Sequence, residues 1–326
     1  MEEALLNFSK QFNYEPVIEN GETFTASKKM IVVGMGGSHL AAGLLKACDR
    51  SLDILVHRNY GLPDISEENL KSRLVVLSSY SGNTEEVADA FQKALEKKLP
   101  VLAVSTGGKI LEIAKKNKSP FIKLPDAGIQ PRTAVGLSFL AFLKAAGDED
   151  ALREIKNLET ALNPSRYEAE GKELAQKLKN FVPVVYTSEK NEGLAYIWKI
   201  SFNETGKVPA FYNVLPELNH NEMTSFDTLN DLSKNFHFIF LKDAKDDPRI
   251  QKRMDILEKL FKNRGFGVEV KNLEESSVSK SSQSGVFFKV FSSVILAGWT
   301  ALYTAKAYGL EPEEVPMVEE FKKLIK

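Results

Sequence analysis

The sequence predicts an α/β fold of two doubly wound parallel sheets, and three observations carry that expectation. Short apolar, β-branched runs alternate with helical stretches; the alternation restarts after a charged interlude; and 326 residues exceed one average domain of ~100–200 residues. In the first half the runs are 29–33, 54–57, 74–78, 101–104 and 121–124. Each is too short for a helix that stands alone and reads as a strand buried on both faces, the mark of a parallel sheet. The stretches between them, such as 39–47 and 84–97, carry apolar residues at helical spacing.

After an apolar helix over 133–146 comes a charged connection, 147–180, broken near Asn163 and Pro164. The pattern then resumes with strands at 181–187, 237–242 and 267–272 and helices over about 190–205, 248–263 and 285–308. The halves resemble each other in kind, so we place the domains at 1–152 and 153–326. Lys and Arg number 43 against 44 for Asp and Glu, so no global field favours nucleic acid or an anionic membrane. No segment offers the ~20 continuous apolar residues that span a bilayer. Cys48 is the only cysteine, which precludes a disulfide framework within the chain and fits a cytoplasmic location.

Two loops carry candidate chemistry. The first, IVVGMGGSHLAAG, runs from a strand through Gly34, Gly36, Gly37 and Ser38 into a helix. Its glycines let the backbone approach a ligand, and the helix start offers unpaired N–H groups. It lacks the dinucleotide spacing G-x-G-x-x-G, whose last position is His39, and the second strand ends at His57 and Arg58 rather than at the acidic residue a ribose needs. A nicotinamide cofactor is therefore not expected.

The second, LVVLSSYSGNTEEV, ends a buried strand in Ser78, Ser79, Ser81, Gly82, Asn83 and Thr84. Hydroxyls at the carboxyl end of a strand, beside the amides of a helix start, make a neutral cradle for a phosphate dianion. The plain alternative is a capped helix with Thr84 as N-cap. One hydroxyl suffices for a cap, whereas four fall between residues 78 and 84. A P-loop is excluded because no G-K-[ST] follows.

On the pair GMGGS and SSYSGNTEE the chain resembles the sugar isomerase (SIS) domain. With PRTAVG at 131–136 and NETGKVPAFYNVLPELNHNEM at 203–223 it resembles the archaeal and bacterial bifunctional phosphoglucose/phosphomannose isomerases over essentially its whole length. The resemblance implies two flavodoxin-like three-layer sandwiches and a cofactor-independent isomerase of six-carbon sugar phosphates. It puts the phosphate on Ser79, Ser81 and Thr84, with Gly36, Gly37 and Ser38 at the sugar's edge. It implies Glu204 as catalytic base, Arg132 beside the developing oxyanion, and His220 and Lys322 in ring opening, with Lys306 as a rival to Lys322. Thr205 and Gly206 stand where the family has an Asn-Ala-like pair. Val315, seven residues before Lys322, stands where bifunctional members carry threonine; valine matches its volume but cannot hydrogen-bond, which bears on acceptance of the C2 epimer.

Each residue has a plainer reading. Glu204 closes an amphipathic helix, where the dipole disfavours an anion, an odd place for a surface carboxylate. His220 lies in a polar loop, Arg132 at a helix start, and Lys322 on a charged face. The four histidines are scattered without ligand spacing, so no metal site is expected. The irregular, aromatic segment around 208–223 suggests an interface, and the resemblance implies a homodimer in which His220 reaches the partner's site. Two further functions remain open: a phosphosugar sensor without turnover, and an isomerase of amino-sugar phosphates.

Overall fold

The computed structural model describes residues 1–274 and 283–325. The chain divides into two compact units. One comprises Asn7–Leu162 and the start of the last long helix, through Phe288; the other comprises Met1–Leu6, Asn163–Glu274 and the chain from Lys289 onward. The break after Leu162 falls just before Pro164.

The N-terminal unit is built on six strands: β1 (Ile18–Glu19), β2 (Lys29–Val33), β3 (Asp53–His57), β4 (Leu74–Ser78), β5 (Val101–Ser105) and β6 (Phe121–Lys123). Their order is β1-β6-β5-β4-β2-β3, parallel throughout except for β1. Every residue of β4 and β5 is buried, as central strands covered on both faces must be. Between the strands run α1 (Leu40–Cys48), α2 (Glu85–Glu96) and α3 (Gly108–Lys116), followed by α4 (Val135–Ala146). Ile31, Val33, Val75 and Leu77 pack with Val87, Phe91 and Ile110 in one core.

The C-terminal unit has four strands, β7 (Val182–Ser188), β8 (Phe211–Leu215), β9 (Phe236–Lys242) and β10 (Gly267–Asn272), all parallel in the order β10-β9-β7-β8. Its helices are α5 (Glu168–Lys177), α6 (Glu192–Ile200), α7 (Pro248–Asn263), most of α8 (Gln283–Ala307) and α9 (Pro316–Leu324). Tyr186, Phe226, Phe238, Phe240, Phe261 and Phe266 form its aromatic core. The segment read from sequence as irregular contains β8, which pairs with β7 from Phe211 opposite Val184 to Leu215 opposite Ser188.

Within α8, Gly285–Ala307 is long and apolar enough to cross a membrane, yet 89% of it is buried inside the protein. Lys289, Ser292 and Ser293 interrupt it, so it contains no continuous apolar run of spanning length.

Candidate active site

The N-terminal sheet reverses direction at its middle: from β2 the chain goes to β3 on one side and then to β4 on the other. A reversal of this kind opens a crevice at the carboxyl ends of the two strands, the ligand position of doubly wound folds. Both candidate loops sit there, since β2 ends at Val33 and β4 at Ser78.

The two loops are clasped together. The Ser78 hydroxyl donates to the Ser38 carbonyl at 2.7 Å, and the Tyr80 amide donates to Ser38 Oγ at 2.9 Å. Gly36 and Gly37 open the turn Gly36–His39. A Cβ on Gly37 would stand 2.5 Å from the Pro131 carbonyl carbon and 2.6 Å from the Arg132 nitrogen, so only glycine lets the arginine-bearing segment come this close. Arg132 is buried, and its guanidinium reaches Gln130 Oε1 at 3.5 Å.

Thr84 occupies the N-cap position of α2, but its hydroxyl caps nothing. It lies 2.7 Å from Ser79 Oγ, which also accepts the Gly82 amide at 3.1 Å. Ser79 is fully buried, Thr84 partly so and Ser81 exposed; the Thr84 hydroxyl is thus spent on Ser79 rather than on the helix backbone. His39, in the glycine turn, is buried. Burial, and then the charge of Arg58, push its imidazole down to about 4, so it is neutral at pH 7.

In the C-terminal unit, Glu204 sits in a π-helical turn, Ser201–Thr205, that closes α6. The Gly206 amide bonds the Ser201 carbonyl at 3.0 Å, and such i→i+5 turns recur at functional sites. Next comes Lys207 at φ 59°, a left-handed conformation that costs a side-chain-bearing residue energy. Its ammonium donates to the Glu204 carbonyl at 2.7 Å and to the carbonyl of Glu314, next to Val315.

His220 is exposed on the loop after β8. Leu218 and Phe226 pin that loop in the core on either side of it. Glu222 ties it to the sheet, accepting hydrogen bonds from Tyr186 Oη and Asn213 Nδ2, each at 2.5 Å. Lys322 lies on α9, exposed and paired with Glu319 at 2.8 Å. Lys306 is engaged elsewhere, bonded to Glu2 at 2.6 Å and 5.0 Å above the Tyr303 ring. The structure thus gathers Gly36, Gly37, Ser38, Ser79, Ser81, Thr84 and Arg132 in one unit and places Glu204, His220 and Lys322 in the other. Lys207 and Glu222 escaped the sequence reading; their only signal was to flank Glu204 and His220.

The C-terminal sheet reverses in the same way, between β7 and β9. Its crevice is occupied by the chain's own carboxylate. Asp243 Oδ2 accepts from Lys289 Nζ at 2.8 Å, Lys190 Nζ at 3.1 Å and Asn191 Nδ2 at 3.2 Å, and Oδ1 accepts the Lys245 amide at 2.9 Å. Burial opposes its charge, but the Lys289 ammonium and the Lys245 amide outweigh that and hold the carboxyl below its ordinary range. Among the described residues no group of His, Cys, Asp and Glu could hold a metal ion.

A family model described as the bacterial phospho-glucose isomerase C-terminal SIS domain matches residues 167–325. A bifunctional phosphoglucose/phosphomannose isomerase of Aquifex aeolicus is 31% identical over 325 residues, 98% of this chain and 96% of that one. The chain belongs to the bifunctional phosphoglucose/phosphomannose isomerase family. A second family member, from Caldicellulosiruptor bescii, is 32% identical over 90% of this chain and 88% of its own. Among solved structures, the C-terminal domain of glucosamine-fructose-6-phosphate aminotransferase from Francisella tularensis superposes with a TM-score of 0.69 at 13% identity, covering 96% of each chain. That likeness is one of fold alone.

Proposed function

We propose that this protein interconverts glucose 6-phosphate, and mannose 6-phosphate, with fructose 6-phosphate through a cis-enediolate. Family membership supports the substrates. The observation that carries the chemistry is the Ser79–Thr84 hydroxyl pair, which stands at the switch-point crevice and is not spent on capping the helix. Ser79, Ser81, Thr84 and neighbouring amides hold the phosphate, with Gly36, Gly37 and Ser38 along the sugar, which fixes the distance to the reacting carbons. Glu204 moves one proton between C2 and C1, and Arg132 stabilises the negative charge that develops on the oxygens in between. His220 and Lys322 carry protons to and from the ring oxygen and its hydroxyl during opening.

The test is Glu204→Gln, an amide of nearly the same shape that cannot accept the proton. It should bind fructose 6-phosphate while isomerisation falls by about 10²–10⁴-fold, and wild type should exchange solvent deuterium into C2. Full activity in the variant removes Glu204 from the mechanism. Binding without turnover in wild type would make the chain a sensor.

We also propose a homodimer that shares its sites, with His220 supplied by the partner chain. The support is its exposure on a loop held rigidly from both sides. If His220→Ala and Glu204→Gln chains are refolded together in equal amounts, half the dimers are mixed and each mixed dimer has one intact site. About a quarter of wild-type activity then returns, whereas an inactive mixture rejects sharing.

A further inference from the structure

We infer that Lys207 is a positioning residue which holds the Glu204 turn and the C-terminal segment carrying Val315 and Lys322 in one register. The inference rests on the reading of Glu204 as the base.

A lysine just past a helix often bonds the last carbonyls of that helix, and the bond to the Glu204 carbonyl alone would be no more than that. The second bond is different, because it reaches the Glu314 carbonyl, 107 residues further along the chain. Both carbonyls thereby share one ammonium. Helix α9, which begins right after Val315, has no buried residue, so no core packing sets its place. Met317, Val318, Phe321 and Leu324 along it are all exposed. The bond from Lys207 to the Glu314 carbonyl and the ion pair of the amino-terminus to Glu313 are therefore among the contacts that tie this segment to its unit. Lys207 also adopts a left-handed backbone, φ 59°, that asparagine or glycine would take more easily; the side chain is kept there at a conformational cost that its two bonds offset.

Catalysis depends steeply on placement, since a misplacement of ~1 Å can cost ~10²-fold. Releasing the ammonium lets the base turn and the segment with Val315 drift apart. The rate falls, and the partition between the C2 epimers changes with it.

The test compares Lys207→Met with Lys207→Arg. The two share the backbone cost at φ 59° and an unbranched stem, but only arginine retains donors for the two carbonyls. Lys207→Met should lower kcat by about 10–100-fold with little change in KM. It should also shift the glucose 6-phosphate to mannose 6-phosphate product ratio and speed amide hydrogen exchange over 311–325. Lys207→Arg should restore most of the rate and the original ratio. Equal kcat and equal product ratio in the two variants overturn the inference, as does a loss of melting temperature in Lys207→Met with kcat and ratio unchanged. Should Lys207→Met fail to fold, Lys207→Leu, which also lacks a donor, takes its place on the same readouts. Glu204→Gln assayed alongside separates the two readings: if it stays active, the reading of the base fails, and if it is inactive while methionine and arginine match, only the role of Lys207 falls.

Discussion

Gly82 sets how the phosphate loop can be built. At φ 75° it is left-handed, and a Cβ there would stand 1.8 Å from the Gly107 carbonyl oxygen and 2.9 Å from Ser105 Oγ. Its amide meanwhile bonds Ser79 Oγ, so moving the glycine also moves the hydroxyl pair. Gly82→Ala should destabilise the chain by ~2–5 kcal/mol, from ~1–2 for the left-handed backbone and ~1–3 for overpacking, and should weaken phosphosugar binding. Gly107→Ala is the control, because Gly107 is extended and a Cβ there meets nothing within 4 Å. Denaturant melts of the two variants check this; a loss below ~1 kcal/mol for Gly82→Ala would refute it. At this scale the sequence was legible where residue type states its own chemistry, as with the hydroxyls at 79 and 84. It was silent on what those hydroxyls bond. That Thr84 turns away from its helix to Ser79, and that Lys207 reaches Glu314, are consequences of tertiary placement, which local spacing does not encode.

Elements were legible in proportion to how much of their pattern is local. The expected strands at 29–33 and 74–78 coincide with β2 and β4, because a run buried on both faces is apolar at nearly every position. Strand β8 was missed. It lies at the sheet edge and is half exposed, and Pro209 and Pro216 on either side look like loop. The π turn was likewise hidden: the expected helix over about 190–205 contains both α6 and Ser201–Thr205, and one residue more per turn leaves the apolar spacing almost unchanged over so short a stretch. The structure adds that the carboxylate of Glu204 belongs to an irregular turn rather than to a plain helix end.

For the whole molecule, the sequence showed two similar halves but not the order of their strands, since order is decided by which side of the sheet each crossover returns to. That order matters here. β3-β2-β4-β5 in one unit and β8-β7-β9-β10 in the other follow the same path, so the fold creates two equivalent crevices. One carries the hydroxyls of Ser79, Ser81 and Thr84 at its rim, and the other already contains Asp243 with its two ammonium partners. A net charge of −1 offers no long-range attraction to compensate for a lost local site, and the two ammoniums of the second crevice are already engaged by Asp243. Counting then becomes a structural measurement: titration of the Glu204→Gln variant with fructose 6-phosphate in a calorimeter should end at one equivalent per chain, half of what the duplicated architecture could have accommodated. A second equivalent of similar affinity would mean that the Asp243 carboxylate gives way, and that the protein keeps both of its inherited sites in use.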